Sequence, residues 1–116
     1  LSVNTHITIP PEMEWAFNGY WLYTAIIDPT GGVSRDELIE KLMKNGVETR
    51  PVFYPLHAMP PYLEYVRNGQ TFPVTDHLSR NGISLPSSVT ISAEEQNSIL
   101  KAVSAIFKTR KLNDSN

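Results

Sequence analysis

The residues best suited to chemistry lie close together in the middle of the chain. Arg50, Tyr54 and His57 bring a guanidinium, a phenol and an imidazole within eight residues of one another. The planar arginine fork binds a carboxylate or phosphate through two parallel hydrogen bonds, whereas tyrosine and histidine orient a substrate or pass a proton. Interspersed prolines lower the entropy lost in holding such groups still. This spacing makes residues 50–57 a candidate binding site.

The same three side chains also have an ordinary structural interpretation. In it, Arg50 forms a surface ion pair, Tyr54 packs its ring with the hydroxyl in water, and His57 hydrogen-bonds a loop carbonyl. Residue types alone favour this structural role by roughly two to one, because short motifs so often match by chance. Taken by themselves, these side chains leave both interpretations open.

The elements that precede the candidate site must support it. Residues 20–27 are aromatic or β-branched on both alternating faces, which predicts a strand covered on both sides, with Trp21 and Tyr23 in the core. Turn residues at 28–32 end this strand. Two consecutive prolines forbid a ladder or helix before it, so residues 1–19 are interpreted as a lead-in segment.

A helix is predicted next. Ser34 followed by Glu37 forms a capping box, and an Asn-Gly pair at 45–46 supplies a left-handed stop. Its polar residues, Arg35 among them, are expected to face water. The apolar stripe consists of Leu38, Ile39, Leu42 and Met43.

The second half of the chain alternates short strands, a loop and helices. Residues 47–53 favour a second strand at an edge or a bend, because a proline interrupts them. The prolines at 54–62 exclude regular structure and predict a shaped loop. A short helix from Phe72, a strand at 83–86 and a long helix capped by Ser92 follow. In the short helix, adjacent Asp and His residues point apart and form no pair.

These elements predict an α+β fold, a small mostly antiparallel sheet backed by helices. Residues 20–110 are assigned to one domain, after the lead-in 1–19 and before a frayed tail at 111–116. A chain of 116 residues buries enough surface for a single core.

Composition excludes several classes of function. The net charge of −2, with scattered Lys and Arg, argues against nucleic acid, and no apolar run is long enough to span a membrane. The absence of cysteine removes disulfides and thiol nucleophiles, and the three histidines lack metal-ligand spacing, so no metal is predicted. No export signal is visible, which favours the cytoplasm. A start at Leu1 suggests a fragment or a processed chain.

One ordered set of motifs spans nearly the whole chain. Residues 48–57, followed by Pro60-Pro61-Tyr62, resemble the C-terminal small domain of the DegT/DnrJ/StrS-type nucleotide-sugar aminotransferases. The flanking motifs at 20–23, 34–38, 72–74, 82–86 and 92–95 agree with this family in their order. The ordered set is more specific than any one motif. It therefore favours an active-site wall at residues 50–57 over the structural role that the residue types alone favour.

The resemblance implies the C-terminal domain of a fold-type-I, pyridoxal-phosphate-dependent homodimer with active sites at the subunit interface. Such enzymes transfer an amino group, usually from glutamate, to a nucleotide-linked ketosugar in polysaccharide or glycoconjugate biosynthesis. The large domain holds pyridoxal phosphate (PLP) through a Schiff-base lysine. The lysines of this chain fall on predicted helices or the tail, so no catalytic or cofactor-binding residue is assigned, and the fragment alone is expected to be inactive.

By the same resemblance, the small domain covers the site and contacts substrate. Arg50 is expected to bind an anionic group of the donor or of the nucleotide sugar, and Tyr54 and His57 to contact substrate near the cofactor. Phe53 and Tyr62 are expected to shape the pocket. If the large domain covers this face, the isolated chain should expose an apolar patch near Phe53, Leu56 and Tyr62.

Two other classes of function remain open from the sequence. One is a free-standing α+β module that binds a ligand or regulates, because such scaffolds host many functions. The other is a catalytically dead relative that binds PLP as a sensor. An upstream lysine in the family's cofactor context supports the enzyme, its replacement supports the sensor, and no upstream domain supports the free module.

Overall fold

The computed structural model describes residues 5–113, with side chains up to Lys108. The strands within this range are β1 Ile7–Thr8, β2 Tyr23–Ile27, β3 Arg50–Pro51 and β4 Gly82–Leu85. The α-helices are α1 Arg35–Lys44, α2 Pro73–Asn81 and α3 Ala93–Asn113. Short 3-10 turns lie at Pro29–Gly31, Leu56–Ala58 and Pro60–Tyr65. No described helix is both long and apolar enough to cross a membrane.

The strands form one antiparallel sheet in the order β1-β2-β4-β3. Central strand β4 pairs Ile83 with Ala25 of β2 on one side and with Pro51 of β3 on the other. Each described strand pair is antiparallel, and helices back the sheet, so the α+β fold predicted from the sequence is confirmed.

One apolar core joins the sheet to helices α1 and α3. Strands β2 and β4 present alternate side chains to this core, as the two-residue repeat of a strand requires. The helices supply residues spaced three or four apart, which lie on one helical face. The core consists of Ile7, Ala25, Ile27, Val33, Leu38, Leu42, Ile83, Leu85, Val103, Ile106 and Phe107.

The start of α1 confirms the predicted capping box. The backbone N–H of Ser34 donates to the Glu37 carboxylate at 2.9 Å, and the Glu37 N–H donates to the Ser34 hydroxyl at 3.3 Å. Two otherwise unpaired backbone donors are thereby satisfied. At the other end Gly46 has φ of 74°, the left-handed conformation that glycine adopts without strain.

Arg35 does not face water, and that prediction is wrong. Its side chain is 14% exposed, and Nη1 donates to the carbonyls of Ser79 and Gly82 at 3.0 and 3.1 Å. These carbonyls lie at the C-terminal end of α2, where helix carbonyls lack partners and a cation is favoured. Arg35 therefore ties α2 to α1, a contact between residues too distant in sequence for local patterns to indicate.

Strand β2 starts three residues later than predicted. Tyr20 has φ of 45° and redirects the chain, so that pairing begins at Tyr23. Tyr23 packs against the core as predicted, but Trp21 is 83% exposed, and its placement in the core is wrong. The lead-in contributes β1, whose two residues pair with the end of β2.

The later boundaries also differ from those predicted. The strand expected over 47–53 is limited to Arg50–Pro51, with one further backbone bond from the Val52 N–H to the Gly82 carbonyl. The N–H of Gly82 donates to the Leu78 carbonyl of α2 and does not return a bond to Val52. The loop expected at 54–62 contains 3-10 turns, since proline at a first helical position needs no donor. Helix α3 reaches Asn113, and the remainder of the predicted tail, 114–116, lies outside the described residues.

Neighbouring residues of α1 provide a matched test of the core. Leu42 is fully buried, whereas Met43 is 54% exposed. We expect Leu42→Ala to lower the free energy of unfolding by about 3 kcal/mol, because a cavity remains in a packed core. Met43→Ala should change it by less than about 0.5 kcal/mol. Urea denaturation measures both, and equal effects would contradict the described orientation of α1.

Candidate functional site

The candidate residues lie on β3 and on residues 53–66, which we call the proline segment. The segment leaves the sheet directly after β3 and faces away from the core. Phe53 is 72% exposed, Tyr54 64% and Tyr62 45%. Large rings this exposed provide a surface for a partner or ligand.

The proline segment is held together mainly by its own backbone. The N–H groups of Ala58, Met59 and Tyr62 donate to carbonyls three residues earlier, at 2.9 to 3.0 Å. These are the bonds of 3-10 turns, which satisfy the backbone without a neighbouring strand. Just before the proline segment, the N–H of Val52 donates to the Gly82 carbonyl at 3.1 Å, and this is the last described backbone hydrogen bond to β4.

His57 is the exception to this outward orientation. Its side chain is 20% exposed, and Nε2 lies 2.8 Å from a carboxylate oxygen of Asp76. Its ring stacks on Phe72, with centroids 4.5 Å apart and planes at 25°. The partner is thus a carboxylate on α2 and not the loop carbonyl of the structural interpretation.

Asp76 is a residue of the site that the sequence did not indicate. No pair between Asp76 and adjacent His77 is predicted from the sequence, and the described contacts agree, since His77 Nδ1 lies 3.2 Å from the Asn81 amide nitrogen. Asp76 contacts His57 across 19 residues, and no local spacing could have indicated that. An acidic residue in the first turn of a helix was the one available signal.

Arg50 and Tyr54 line different cavities. Arg50 borders one of about 680 Å³, formed by the turn after α1, the end of β4 and the start of α3. Tyr54 borders another of about 460 Å³, beside α2, together with Asp76 and Arg80. Arg50 and Tyr54 are close in the sequence, but the two cavities share none of their lining residues.

The Arg50 side chain is exposed and makes one ion pair in the described structure. Its side chain is 80% exposed, and Nη2 lies 3.3 Å from the carboxylate of Glu48. Such an exposed ion pair contributes little to stability and gives way readily to a better-placed anion. The guanidinium therefore remains available for a bidentate contact.

The larger cavity also borders a buried hydroxyl. Thr49 is 7% exposed, and its Oγ1 has no hydrogen-bond partner among the described residues. Nearby, Ser92 hydrogen-bonds the Glu95 carboxylate at the start of α3 and lowers the pKa of that group. These bonds form a capping box at the start of α3, in which the carboxylate already accepts from the Ser92 N–H and hydroxyl.

The third cavity, about 520 Å³, is bordered by two stacked tyrosines. The rings of Tyr20 and Tyr23 have centroids 5.4 Å apart. Burial, with a smaller contribution from the neighbouring Tyr20, raises the pKa of Tyr23 above its usual value. Tyr23 therefore remains a neutral phenol at physiological pH, suited to hydrogen bonding.

The described lysines do not form a cofactor site. Lys44 Nζ contacts the Glu40 carboxylate at 2.7 Å on the exposed face of α1, and no lysine borders the three cavities. The residues described here thus do not fit the Schiff-base attachment of PLP. Likewise, within residues 5–113, no three His, Asp or Glu side chains lie close enough together to hold a metal ion.

Comparison with known proteins gives a consistent match. The DegT/DnrJ/EryC1/StrS aminotransferase family matches residues 1–104. The chain is 41% identical over 76 residues to GDP-perosamine synthase from Vibrio cholerae, which is 66% of this chain and 20% of that protein. It is 32% identical over 109 residues to GDP-perosamine synthase from Escherichia coli O157:H7, which is 94% of this chain and 29% of that protein. The chain therefore spans less than a third of these relatives.

Solved structures share the fold. The aminotransferase TlmJ from Streptoalloteichus hindustanus superposes with a TM-score of 0.76 at 23% identity, covering 90% of this chain and 27% of TlmJ. The PLP form of Spr1654 from Streptococcus pneumoniae, described as a sugar aminotransferase, gives a TM-score of 0.77 at 21% identity, covering 92% of this chain and 28% of Spr1654. At these identities the likeness establishes the fold alone.

The exposed rings predict self-association of the isolated chain. Phe53, Leu56 and Tyr62 are 72%, 63% and 45% exposed, which agrees with the apolar patch predicted from the sequence. We expect the apparent mass by light scattering to rise with concentration, because apolar patches of this kind associate. The double variant Phe53→Ser, Leu56→Ser should reduce that rise. Val89→Ser, at an exposed apolar position outside the patch, should not, and a monomer at all concentrations would contradict the prediction.

Proposed function

This chain belongs to the DegT/DnrJ/EryC1/StrS aminotransferase family, and we propose that it is the small C-terminal domain of an enzyme that aminates a nucleotide-linked ketosugar. The match of the family to residues 1–104 carries this proposal. The similarity to two GDP-perosamine synthases supports a nucleotide sugar as substrate, with glutamate as the proposed amino donor. The proposed setting is polysaccharide or glycoconjugate biosynthesis in the cytoplasm.

In this proposal Arg50 binds an anionic group of the donor or of the nucleotide sugar. Its exposed guanidinium needs only to exchange Glu48 for the ligand. A carboxylate or a phosphate offers the two parallel acceptors that match the guanidinium fork. Strand β3 fixes the base of the side chain, since Arg50 is paired with Ser84 of the central strand.

The exposed rings of the proline segment form the wall of the proposed pocket. Phe53 and Tyr62 supply flat apolar surface that excludes water, and Tyr54 adds a phenol that donates or accepts a hydrogen bond. Rings on a proline-braced backbone lose little entropy when a ligand orders them. The wall needs a facing surface, which we assign to the larger remainder of the parent protein.

PLP, which the family uses, supplies the electron sink for amino transfer when it is bound. The described residues do not fit its attachment, so we assign the cofactor to the remainder of the parent and assign no catalytic residue to this chain. The protein's share of the work here is binding and orientation. We therefore propose that the 116-residue chain is inactive alone. From the family resemblance we also propose that the parent acts as a homodimer.

The decisive experiment uses the full-length protein. We expect a PLP absorbance band that sodium borohydride reduces, and release of 2-oxoglutarate when glutamate and a GDP-linked ketosugar are both present. Mass spectrometry of the product should detect the added amine. A parent without a reducible PLP lysine would support the sensor, and the absence of any upstream domain would support the free-standing module.

Replacement of Arg50 tests the proposed anion contact. We expect Arg50→Ala in the full-length enzyme to raise KM for the donor or the nucleotide sugar about tenfold or more, because a charge-assisted pair contributes about 1.5 to 3 kcal/mol. Arg67→Ala, which removes another exposed arginine, is the matched control. Unchanged kinetics with both substrates would remove Arg50 from the site.

A further inference from the structure

We propose that Asp76 is a positioning residue that anchors the proline segment through His57 and fixes which imidazole nitrogen faces a ligand. The anchoring is a property of this chain by itself. Its consequence for substrate binding rests on the proposed function. Asp76 acts through another residue, and we assign it no contact with the reacting atoms.

The proline segment has few other attachments. Within the part of the chain that the structure describes, the backbone hydrogen bonds of residues 53–66 close inside the segment. The contact between His57 and Asp76 is the one described side-chain hydrogen bond that joins the segment to the rest of the fold. A single hydrogen bond of 2.8 Å, reinforced by stacking on Phe72, therefore carries the attachment.

The anchor point is itself rigid. Asp76 lies in the first turn of α2, and its own N–H donates to the Phe72 carbonyl at 2.9 Å. The opposite end of α2 is fixed by Arg35, which donates to the carbonyls of Ser79 and Gly82. A continuous series of contacts thus runs from α1 through Arg35 and α2 to His57. The one described side-chain hydrogen bond from the segment is therefore made to a helix that is itself fixed to α1.

The hydrogen bond also selects a tautomer. A carboxylate only accepts hydrogen bonds, so the 2.8 Å contact puts a hydrogen on Nε2 of His57. In the neutral imidazole Nδ1 then carries the lone pair, and it has no hydrogen-bond partner among the described residues. The nitrogen left for a ligand is an acceptor. It suits a sugar hydroxyl or an ammonium group and not a carboxylate.

Hydrogen exchange in the full-length protein tests the anchor. We expect Asp76→Ala to speed amide exchange in peptides from residues 53–66 by about tenfold, the effect of losing one charge-assisted hydrogen bond, with peptides from α1 unchanged. Asp76→Asn should give an intermediate increase, because its amide oxygen still accepts from Nε2. The control Glu64→Gln removes a carboxylate of the same segment that makes no hydrogen bond in the described structure. Wild-type exchange in both Asp76 variants would overturn the anchor.

Substitutions of His57 separate the two roles of its ring. Glutamine places a donor near the position of Nε2, whereas asparagine reaches only the position of Nδ1. We expect His57→Gln to keep slow exchange in residues 53–66, and His57→Asn to lose it. In the active enzyme both Asp76→Ala and His57→Gln should raise KM for the nucleotide sugar, and kcat should fall less than KM rises. Slow exchange in His57→Asn would contradict the Nε2 assignment.

The two proposals fail separately. A full-length protein without transaminase activity would refute the proposed function, yet the exchange experiment would still decide whether Asp76 anchors the segment. An active enzyme with normal KM in Asp76→Ala, despite faster exchange, would retain the anchor and refute its role in substrate binding. If Asp76→Ala does not fold, Asp76→Asn and His57→Asn, both of which weaken the same hydrogen bond, supply the same comparisons.

Discussion

The burial of β4 is the constraint on which the rest of the structure depends. Each of its four residues is buried, and it pairs with β2 on one side and β3 on the other. A strand buried in this way must satisfy its backbone groups within the sheet, which fixes the register of both neighbours. That register sets Arg50 opposite Ser84 and makes β3 the edge from which the candidate site extends.

The edge strand ends just after Pro51. Val52 still donates its N–H to the Gly82 carbonyl, but the Gly82 N–H donates to the Leu78 carbonyl of α2. The chain then continues as turns that satisfy their own backbone. The aromatic side chains Phe53, Tyr54 and Tyr62 therefore point outward, since they pair with no strand and do not belong to the core. The residues that stabilise the fold and the residues of the proposed binding surface therefore lie in different segments of the chain.

Two separate cavities border the edge strand and the residues that follow it. Arg50 borders the cavity formed with the end of β4 and the start of α3, whereas Tyr54 borders the cavity beside α2. Residues four positions apart in the sequence therefore line different cavities, because the chain leaves the sheet between them.

Elements that depend on local chemistry follow from the sequence alone. The capping box at Ser34 and Glu37, the left-handed stop at Gly46 and the aromatic strand leading to Ile27 each depend on neighbours within four residues or on a simple alternation. The motif from Arg50 to His57 indicated the family, and the comparison with known families confirmed it. These features need no knowledge of how distant parts of the chain meet.

Tertiary structure alone decided the partners of the charged and aromatic groups. Arg35 follows a helical pattern that predicts solvent exposure, yet it satisfies carbonyls at the far end of another helix. His57 finds its carboxylate 19 residues away, and Trp21 remains in water because a turn at Tyr20 delays the strand. The spacing of apolar residues predicts which face of an element is buried. The pairing of polar groups depends instead on which elements pack together in the core.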